Sequence, residues 1–238
     1  MNVNDKPLHR VLWTGGWDST FRVLDLLSST DHLIQPYYLI YLGRSSSLIE
    51  LRTINQMMDE IEKRESWKGR LLAPIIRLAD RYKYANEPYA QALEKVRQTW
   101  WLGSQYLCLA QFRDQEKLLD LELGLQSSIF DALRGYVPER DSGLPRRLSK
   151  EAPWEFQVLF GGYLFPILWT SKLEMKGVAE QKGFLDVLNM SWFCHQPVEG
   201  KPCGQCNPCR HVIDEGMEYR IGPEGMARHR QALESSNQ

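Results

Sequence analysis

The sequence predicts an α/β fold, in which a parallel β-sheet with helices on both faces is followed by a metal-binding C-terminal segment. Two observations support this prediction. Short apolar runs alternate with amphipathic stretches over residues 8–125, a pattern typical of parallel sheets covered by helices. Four of the five cysteines fall within residues 194–209. With 238 residues, 43% of them hydrophobic, the chain is long enough for one domain, expected over residues 1–190, and a small appendage over 191–238.

Four strands and the helices between them account for the first half of the sequence. The third strand contains Pro74, which suits an edge of the sheet or the start of a strand better than a central position, because proline cannot donate a ladder hydrogen bond. The strands are expected over residues 8–13, 37–42, 71–78 and 118–125, and the helices after the glycine turn at 14–16, over 48–61 and, in two pieces around Gly103, over 89–112.

The pattern weakens beyond residue 126. A helix is expected over residues 171–181 and a short terminal helix over residues 223–232. The stretch over residues 134–150 holds five basic residues among glycines and prolines. It is either a solvated loop or a mobile lid that meets an anionic ligand.

Charge and hydropathy exclude several classes of protein. With 29 basic and 30 acidic residues the net charge is −1, so nucleic acid gripped by bulk electrostatics is not an expected partner. The longest uncharged stretch, residues 156–171, is too short and too interrupted by glycine and proline to span a bilayer, so no membrane partner is expected. The N-terminus lacks the apolar region of a signal peptide, which predicts cytoplasmic localisation and reduced cysteines.

A glycine turn joins the first strand to the first helix. Glycines let the backbone approach an anion closely, and the free N–H groups at the start of the helix point at it. Hydroxyl side chains add further donors, so the turn is suited to phosphate. The sequence contains neither GxxxxGK[ST] nor GxGxxG, the two better-known phosphate loops. The residues of the turn are Thr14, Gly15, Gly16, Trp17, Asp18, Ser19 and Thr20.

This order of residues resembles the SGGxDS motif of the PP-loop ATP pyrophosphatases, with Thr14 in place of the usual serine. The resemblance implies their adenine nucleotide alpha hydrolase-like fold, and a loop that holds the β- and γ-phosphates of ATP while a substrate oxygen attacks the α-phosphate. It implies catalytic roles for Asp18 and Ser19, with Asp18 orienting an Mg²⁺–phosphate complex. The alternative is that Asp18 only caps the helix.

The crowded cysteines, Cys194, Cys203, Cys206 and Cys209, have the spacing of a zinc site. Two CxxC steps present their sulfurs to one point, and four thiolates close a tetrahedral structural site with no open position. An iron–sulfur cluster is not excluded by spacing alone, whereas disulfides are disfavoured in a reducing compartment. The flanking residues His195 and His211 are expected outside the ligand set, and Cys108 is expected in the core.

The two motifs together resemble the 7-cyano-7-deazaguanine synthase (QueC) family over nearly the whole chain. The resemblance adds nucleotide-binding positions at Tyr41 and Gly124 and a catalytic Lys172 that contacts phosphate or the acyl-adenylate; the alternative is an exposed lysine at a helix start. It implies an ATP-dependent ligase, often a homodimer, that uses ATP, Mg²⁺ and Zn²⁺ to adenylate the carboxylate of 7-carboxy-7-deazaguanine and convert it, with ammonia, to the amide and then the nitrile.

The departures from that family fall on the substrate and acceptor side. The Pro-Gly-Arg-Asn turn of the family is replaced by residues 102–105, Leu-Gly-Ser-Gln, and the substrate segment after the fourth strand is matched poorly over residues 126–141. Two acceptors therefore stay open. One is ammonia, and the other is a protein amine, as in QueC-like relatives from anti-phage defence systems.

Overall fold

The computed structural model describes residues 6–82, 87–125, 131–139 and 146–236. Within these ranges the strands are β1 (Leu8–Leu12), β2 (Leu33–Ile40), β3 (Ile75–Leu78), β4 (Leu121–Glu122) and β5 (Tyr163–Leu164). The helices are α1 (Trp17–Ser29), α2 (Ser47–Glu62), α3 (Tyr89–Arg97), α4 (Gln105–Gln115), α5 (Asp131–Arg134), α6 (Trp154–Phe160), α7 (Lys172–Gln181), α8 (Leu185–Asn189), α9 (Asn207–Asp214) and α10 (Gly222–Ser236), and two 3₁₀ turns cover Ala79–Tyr82 and Glu218–Arg220. None of the helices in this part of the chain combines the length and the apolar character needed to cross a membrane.

The five strands form one parallel sheet in the order β3-β2-β1-β4-β5. The predicted parallel sheet is thereby confirmed, and β3 lies at the edge that Pro74 indicates. The chain winds outward from β1 to β3 and then returns to place β4 on the other side of β1. In open α/β sheets, ligands bind beyond the carboxyl ends of the strands at such a reversal. The topology therefore predicts a ligand site at the carboxyl ends of β1 and β4.

Helices cover both faces of the sheet, as predicted. Successive side chains of a strand point to opposite faces. Val11 and Tyr38 accordingly pack with residues of α1, α2, α7 and α8, whereas Leu12 and Tyr37 pack with residues of α3, α4 and α6. Three of the four clustered cysteines, Cys194, Cys203 and Cys209, belong to the first of these two cores.

Strand β2 begins earlier than predicted, at Leu33, and contains Pro36. The prediction placed this proline before the strand. It is tolerated because Pro36 and Pro74 face the same gap in the ladder between β2 and β3, which pair at Ile34↔Leu71 and again from Tyr37↔Ile75. The side-chain amide of Gln35 supplies a donor there, to Pro36 O at 3.1 Å and Ala73 O at 2.8 Å.

The fourth strand is much shorter than the predicted 118–125, and the fifth strand was not predicted. Lys117 and Asp120 adopt positive φ angles of 52° and 63°, so the chain is still turning just before β4 begins. Strand β5 has only two residues, and it lies in an apolar stretch with no alternation long enough to reveal it.

The second half of the chain agrees with the predicted helices, α7 closely, while α10 extends beyond the predicted 223–232 to Ser236. The basic stretch is described only in part, since residues 140–145 lie outside the described ranges. Three of its arginines make contacts within the chain. Arg134 stacks over Trp169 at 4.9 Å, Arg146 NH1 donates to Pro166 O at 3.5 Å, and Arg147 pairs with Asp120. Residues 126–130 and 140–141 of the predicted substrate segment are likewise outside the described ranges.

Candidate functional site

A cavity of about 890 Å³ opens at the carboxyl ends of β1, β2 and β4. This is the end of the sheet at which the strand order reverses. Its volume lies within the range of small-molecule and cofactor pockets. The walls come from the glycine turn, the chain after β2, the connection from α3 to α4, the loop after β4, and the residues around the cysteines, including Thr14, Asp18, Tyr41, Gln105, Gly124, Lys172, His195, His211 and Arg220.

Gly15 has the backbone conformation that favours glycine, with a φ of 70°. A β-carbon there would lie 3.1 Å from Ile54 Cγ1 on α2, so the position also lacks room for a side chain. The carbonyl of Gly15 accepts a hydrogen bond of 2.8 Å from the N–H of Trp192. The turn is thus fixed from two sides, by α2 and by the segment that leads to the cysteines.

Hydroxyl groups hold the turn closed. Ser19 Oγ accepts from the Thr14 N–H at 3.2 Å and lies 3.2 Å from Thr14 Oγ1. Helix α1 has Gly16 as its N-cap, without a side-chain cap, and Thr20 is the first residue whose N–H bonds back to Gly16 O. The amides of residues 17–19 therefore precede the first helical hydrogen bond, which is the arrangement used to bind phosphate.

Thr20, predicted to bind the nucleotide, does not line the cavity. Its side chain is fully buried, and its Oγ1 accepts a hydrogen bond of 2.9 Å from Trp13 Nε1. This hydroxyl lies in the core between α1 and α2, where its O–H points to Met57 Sδ. Thr14, Gly16, Trp17, Asp18 and Ser19 do line the cavity.

The Asp18 carboxylate lies in the cavity wall with an unusual environment. Its Oδ1 is inaccessible to solvent and has no hydrogen-bond partner. Burial raises the pKa of Asp18 to about 6; Lys172 and Arg220 act against this shift, and Glu215 adds to it. A buried carboxylate oxygen without a donor is costly unless a cation satisfies it. The oxygen therefore fits a ligand of Mg²⁺, which prefers carboxylate and phosphate oxygens.

Lys172 stands on the same wall, at the first position of α7. Its side chain is 14% exposed, and its Nζ donates to Glu215 Oε2 at 2.7 Å. The alternative of an exposed lysine at a helix start is therefore wrong. Ser171 and Glu174 form the cap of the helix instead, through a reciprocal capping box.

Tyr41 and Gly124 also reach the cavity. The Tyr41 hydroxyl is buried without a hydrogen-bond partner, so it can still donate to a ligand. A β-carbon at Gly124 would lie 3.3 Å from the N and Cα of Ser19. The absence of a side chain at Gly124 thus lets the loop after β4 approach the start of α1.

Three further cavity residues escaped prediction from the sequence: Arg44, Trp192 and Arg220. Arg44 lies over the Tyr41 ring at 4.9 Å, and its NH2 donates to Gln105 Oε1 at 3.3 Å. No local pattern marks these residues, because each also meets a partner that is distant in sequence. Only the folded chain brings them to one wall.

The four clustered cysteines have the geometry of a tetrahedral metal site. Their sulfurs all lie within 4.8 Å of one another, and the separations include 3.5 Å for Cys206–Cys209 and 3.9 Å for Cys206–Cys194. A tetrahedral zinc with bonds of about 2.3 Å requires sulfurs about 3.8 Å apart. All five cysteines of the chain are free thiols, so the group is not a pair of disulfides. The four cysteines can therefore hold zinc.

Backbone groups support the cysteine loop. Cys194 Sγ accepts from the Cys203 N–H at 3.2 Å, and Cys203 Sγ accepts from the Cys206 N–H at 3.3 Å. Such N–H donors stabilise the thiolates that a metal requires. Arg228 on α10 donates to Cys203 O at 3.0 Å and Pro202 O at 2.9 Å, which ties the terminal helix to the loop.

The histidines beside the cysteines do not join the ligand group. His195 and His211 line the cavity instead. Cys108 is buried in the core on the other side of the sheet, as predicted.

Comparisons with known proteins give a weak likeness to a solved structure. No family model matches the chain, and no curated protein matches it. Among solved structures, the chain is similar to a 4-thiouridine synthetase in a crystal structure with RNA and bound ATP, at 13% sequence identity and a TM-score of 0.38. The likeness covers 96% of this chain and 53% of that one, so the chain spans about half the length of that synthetase. A TM-score this low does not decide function.

Proposed function

We propose that this protein is a PP-loop ATP pyrophosphatase of the QueC type, which adenylates the carboxylate of 7-carboxy-7-deazaguanine. The observation that carries the proposal is the buried Asp18 Oδ1, which has no hydrogen-bond partner. It lies beside a turn that is suited to phosphate, at the point where the strand order of the sheet reverses. A carboxylate without a hydrogen-bond partner suits a metal ion, and the free amides at the start of a helix suit phosphate. Together they fit a metal-bound polyphosphate better than any neutral ligand.

The chain's own residues would bind and orient ATP. The amides of residues 17–19 and the hydroxyls of Thr14 and Ser19 would bind the β- and γ-phosphates, and Asp18 would hold Mg²⁺ against them. When bound, Mg²⁺ would supply charge neutralisation for the leaving pyrophosphate. The Tyr41 hydroxyl, which has no partner, would donate to the nucleotide or the substrate base. Gly124 would leave room for the nucleotide beside α1.

The reaction balances without a redox partner. A carboxylate oxygen attacks the α-phosphorus, the bond to the β-phosphate oxygen breaks, and acyl-adenylate and pyrophosphate form. Ammonia then attacks the acyl carbon, and AMP leaves to give the amide. The amide oxygen then attacks the α-phosphorus of a second ATP and pyrophosphate leaves; loss of AMP and protons from the adenylated amide gives the nitrile. The chain contributes positioning and charge stabilisation, with Lys172 as a cation whose charge acts on the Asp18 carboxyl.

Zinc at Cys194, Cys203, Cys206 and Cys209 would be structural in this proposal. Four cysteine sulfurs fill all its coordination positions, so the metal would take no part in the chemistry. It would bind the C-terminal segment, residues 191–238, against the remaining domain, residues 1–190. Elemental analysis of the purified protein should find about one zinc per chain; iron in its place would contradict the assignment.

A second acceptor is favoured by a specific surface feature. Trp101 lines the cavity and is 77% exposed, and its neighbour Trp100 is also exposed. Exposed aromatic side chains at the mouth of a site are typical of protein contacts. The activated deazaguanine acid could thus pass to a protein amine, with AMP leaving as it does toward ammonia.

Mass spectrometry distinguishes these outcomes. The protein is incubated with ATP, Mg²⁺, 7-carboxy-7-deazaguanine and ammonia, and small molecules and proteins are both analysed. Free nitrile with AMP and pyrophosphate supports the ammonia reaction, whereas a deazaguanine mass on an added protein supports the second acceptor. The matched control is Asp18→Ala, which should form no AMP. Equal AMP formation by this variant would refute the assignment of the turn.

A further inference from the structure

Arg220 carries an unused hydrogen-bond donor on the cavity wall. It ends the 3₁₀ turn Glu218–Arg220 and lies among the cavity-lining residues. Its NH1 is inaccessible to solvent and has no hydrogen-bond partner. An arginine buried without a matching anion is costly, so such a position calls for a ligand.

The rest of the Arg220 side chain is held firmly. Its NH2 donates to Ser191 O at 2.5 Å and to Ser191 Oγ at 2.8 Å. The guanidinium lies 4.6 Å from the centre of the Trp17 ring and 4.9 Å from that of Phe193. These contacts fix the plane of the group before any ligand arrives, which reduces the entropy lost on binding.

No carboxylate in the described part of the chain forms an ion pair with Arg220. Asp18 and Arg220 influence each other electrostatically without a hydrogen bond between them. The other cation of this wall, Lys172, already donates to Glu215 at 2.7 Å. Of these two cations, Arg220 is therefore the one whose charge is not paired with a carboxylate in the described part of the chain.

We propose that Arg220 is an oxyanion-binding residue of the cavity, which receives the α-phosphate of ATP or the carboxylate of the acid that attacks it. The proposal rests on the proposed adenylation and adds a residue from the C-terminal segment to it. A guanidinium presents donors in a fixed fork that matches either oxyanion. The β- and γ-phosphates have their own donors in the turn, so Arg220 serves the reacting end of the nucleotide.

The position of Arg220 has a chemical reason. Attack by a carboxylate on a phosphate brings two negative groups together, and their repulsion raises the barrier. A buried cation beside them offsets that repulsion in a site of low dielectric constant, where its effect is larger than in water. The guanidinium lies over the Trp17 and Phe193 rings and its NH1 is inaccessible to solvent, which strengthens the interaction of NH1 with an oxyanion.

The test compares binding of two probes, measured by calorimetry with Mg²⁺ present. The first is α,β-methylene ATP, and the second is 7-carboxy-7-deazaguanine. Arg220→Met should weaken one of them by about ten- to a hundred-fold, the loss of a charged hydrogen bond. Loss for the ATP analogue identifies the α-phosphate as the ligand, and loss for the acid identifies the carboxylate. Arg220→Lys, which keeps the charge without the fork, should recover part of the affinity.

A control variant separates binding from folding. Arg210→Met removes an exposed arginine from α9, and it should bind the probes like the wild type. Unchanged affinity in Arg220→Met, or an equal loss in Arg210→Met, would overturn the role of Arg220. If the wild type bound neither probe, the proposed adenylation itself would fail.

Discussion

At the residue scale, burial of the Asp18 carboxyl lowers the free energy of unfolding and leaves a carboxylate oxygen for a ligand. The pKa of Asp18 is raised from 3.8 to about 6 by burial. Between these two pH values the folded protein keeps a proton that the unfolded chain loses. Stability therefore falls as pH rises through this window, and the penalty is complete above pH 6. Metal binding would offset the penalty by neutralising the carboxylate.

Asp18→Asn should consequently stabilise the ligand-free protein while it abolishes AMP formation. The amide has no charge to bury, so the gain over the wild type should reach about 2–3 kcal/mol at pH 7.5 and be absent below pH 4. Urea unfolding at the two pH values measures it. A gain of the same size at both pH values would show that the Asp18 carboxyl does not titrate as the structure indicates.

Single residues of the site were predictable from their own spacing only where they are neighbours in sequence, whereas Tyr41, Gly124 and Lys172 followed from the family resemblance alone. The turn at residues 14–20 and the four cysteines can be recognised by their spacing in the sequence. Lys172 and Glu215 are 43 positions apart, and nothing local indicates that they pair. Arg220 is held by Ser191, 29 positions away, so its part in the cavity wall depends on the folded chain.

At the scale of elements, Gly15 and Gly69 form a matched pair for testing the turn. Both have a φ of 70°, so replacement by alanine strains either backbone by about 1–2 kcal/mol. A β-carbon at Gly15 would also press on Ile54, whereas one at Gly69 would meet nothing within 4 Å. Gly15→Ala should therefore lose ATP binding, and Gly69→Ala should keep it. Calorimetric titration with ATP decides; equal affinities would contradict the need for a glycine in the turn.

Gly204 and Gly200 allow the same comparison for the cysteine loop. Their φ angles are 78° and 75°, but a β-carbon at Gly204 would lie 1.9 Å from Gly225 O on α10, and one at Gly200 would be free. Gly204→Ala should push α10 away from the loop, lower the zinc content and reduce the melting temperature. Gly200→Ala should retain the full metal content. Elemental analysis of both variants provides the measurement, and identical zinc in the two would show that α10 does not support the loop.

Helices and strands with a clear hydrophobic periodicity were predictable from the sequence, and short ones were not. Helix α2 has an apolar face over four turns, and the structure places it within one residue of the prediction. Strands β4 and β5 have two residues each, too few for a period to be seen. They exist because neighbouring strands offer hydrogen-bond partners, which is a property of the assembled sheet.

At the scale of the whole molecule, the cysteine segment and the glycine turn share one hydrogen bond, from Trp192 N–H to Gly15 O. Trp192 Nε1 also donates to Cys194 O at 2.7 Å. Removing the metal should loosen Cys194, then Trp192, and finally the turn. We expect chelation to weaken ATP binding as well as to lower the melting temperature. Titration with ATP after dialysis against a chelator tests this, with the chelator removed before measurement; unchanged affinity would show that the two sites are independent.

The alternation of strands and helices predicted the class of fold but not the order of the strands. The return of the chain past β1 sets the cavity between the ends of β1 and β4. No pattern in residues 79–120 specifies that β4 lies on the other side of β1. This placement follows from the two separate cores, one on each face of the sheet, that the strands form with the helices. Long-range packing of this kind has no counterpart in a local pattern.

The basic stretch also bears on how copies of the protein can meet. On the edge formed by β5, residues 146–147 already bond to the chain at Leu164 and Phe165. A covering segment of this kind blocks the addition of a further strand. Copies of this chain are therefore poorly suited to join their sheets through the β5 edge. A homodimer, if it forms, would use another surface.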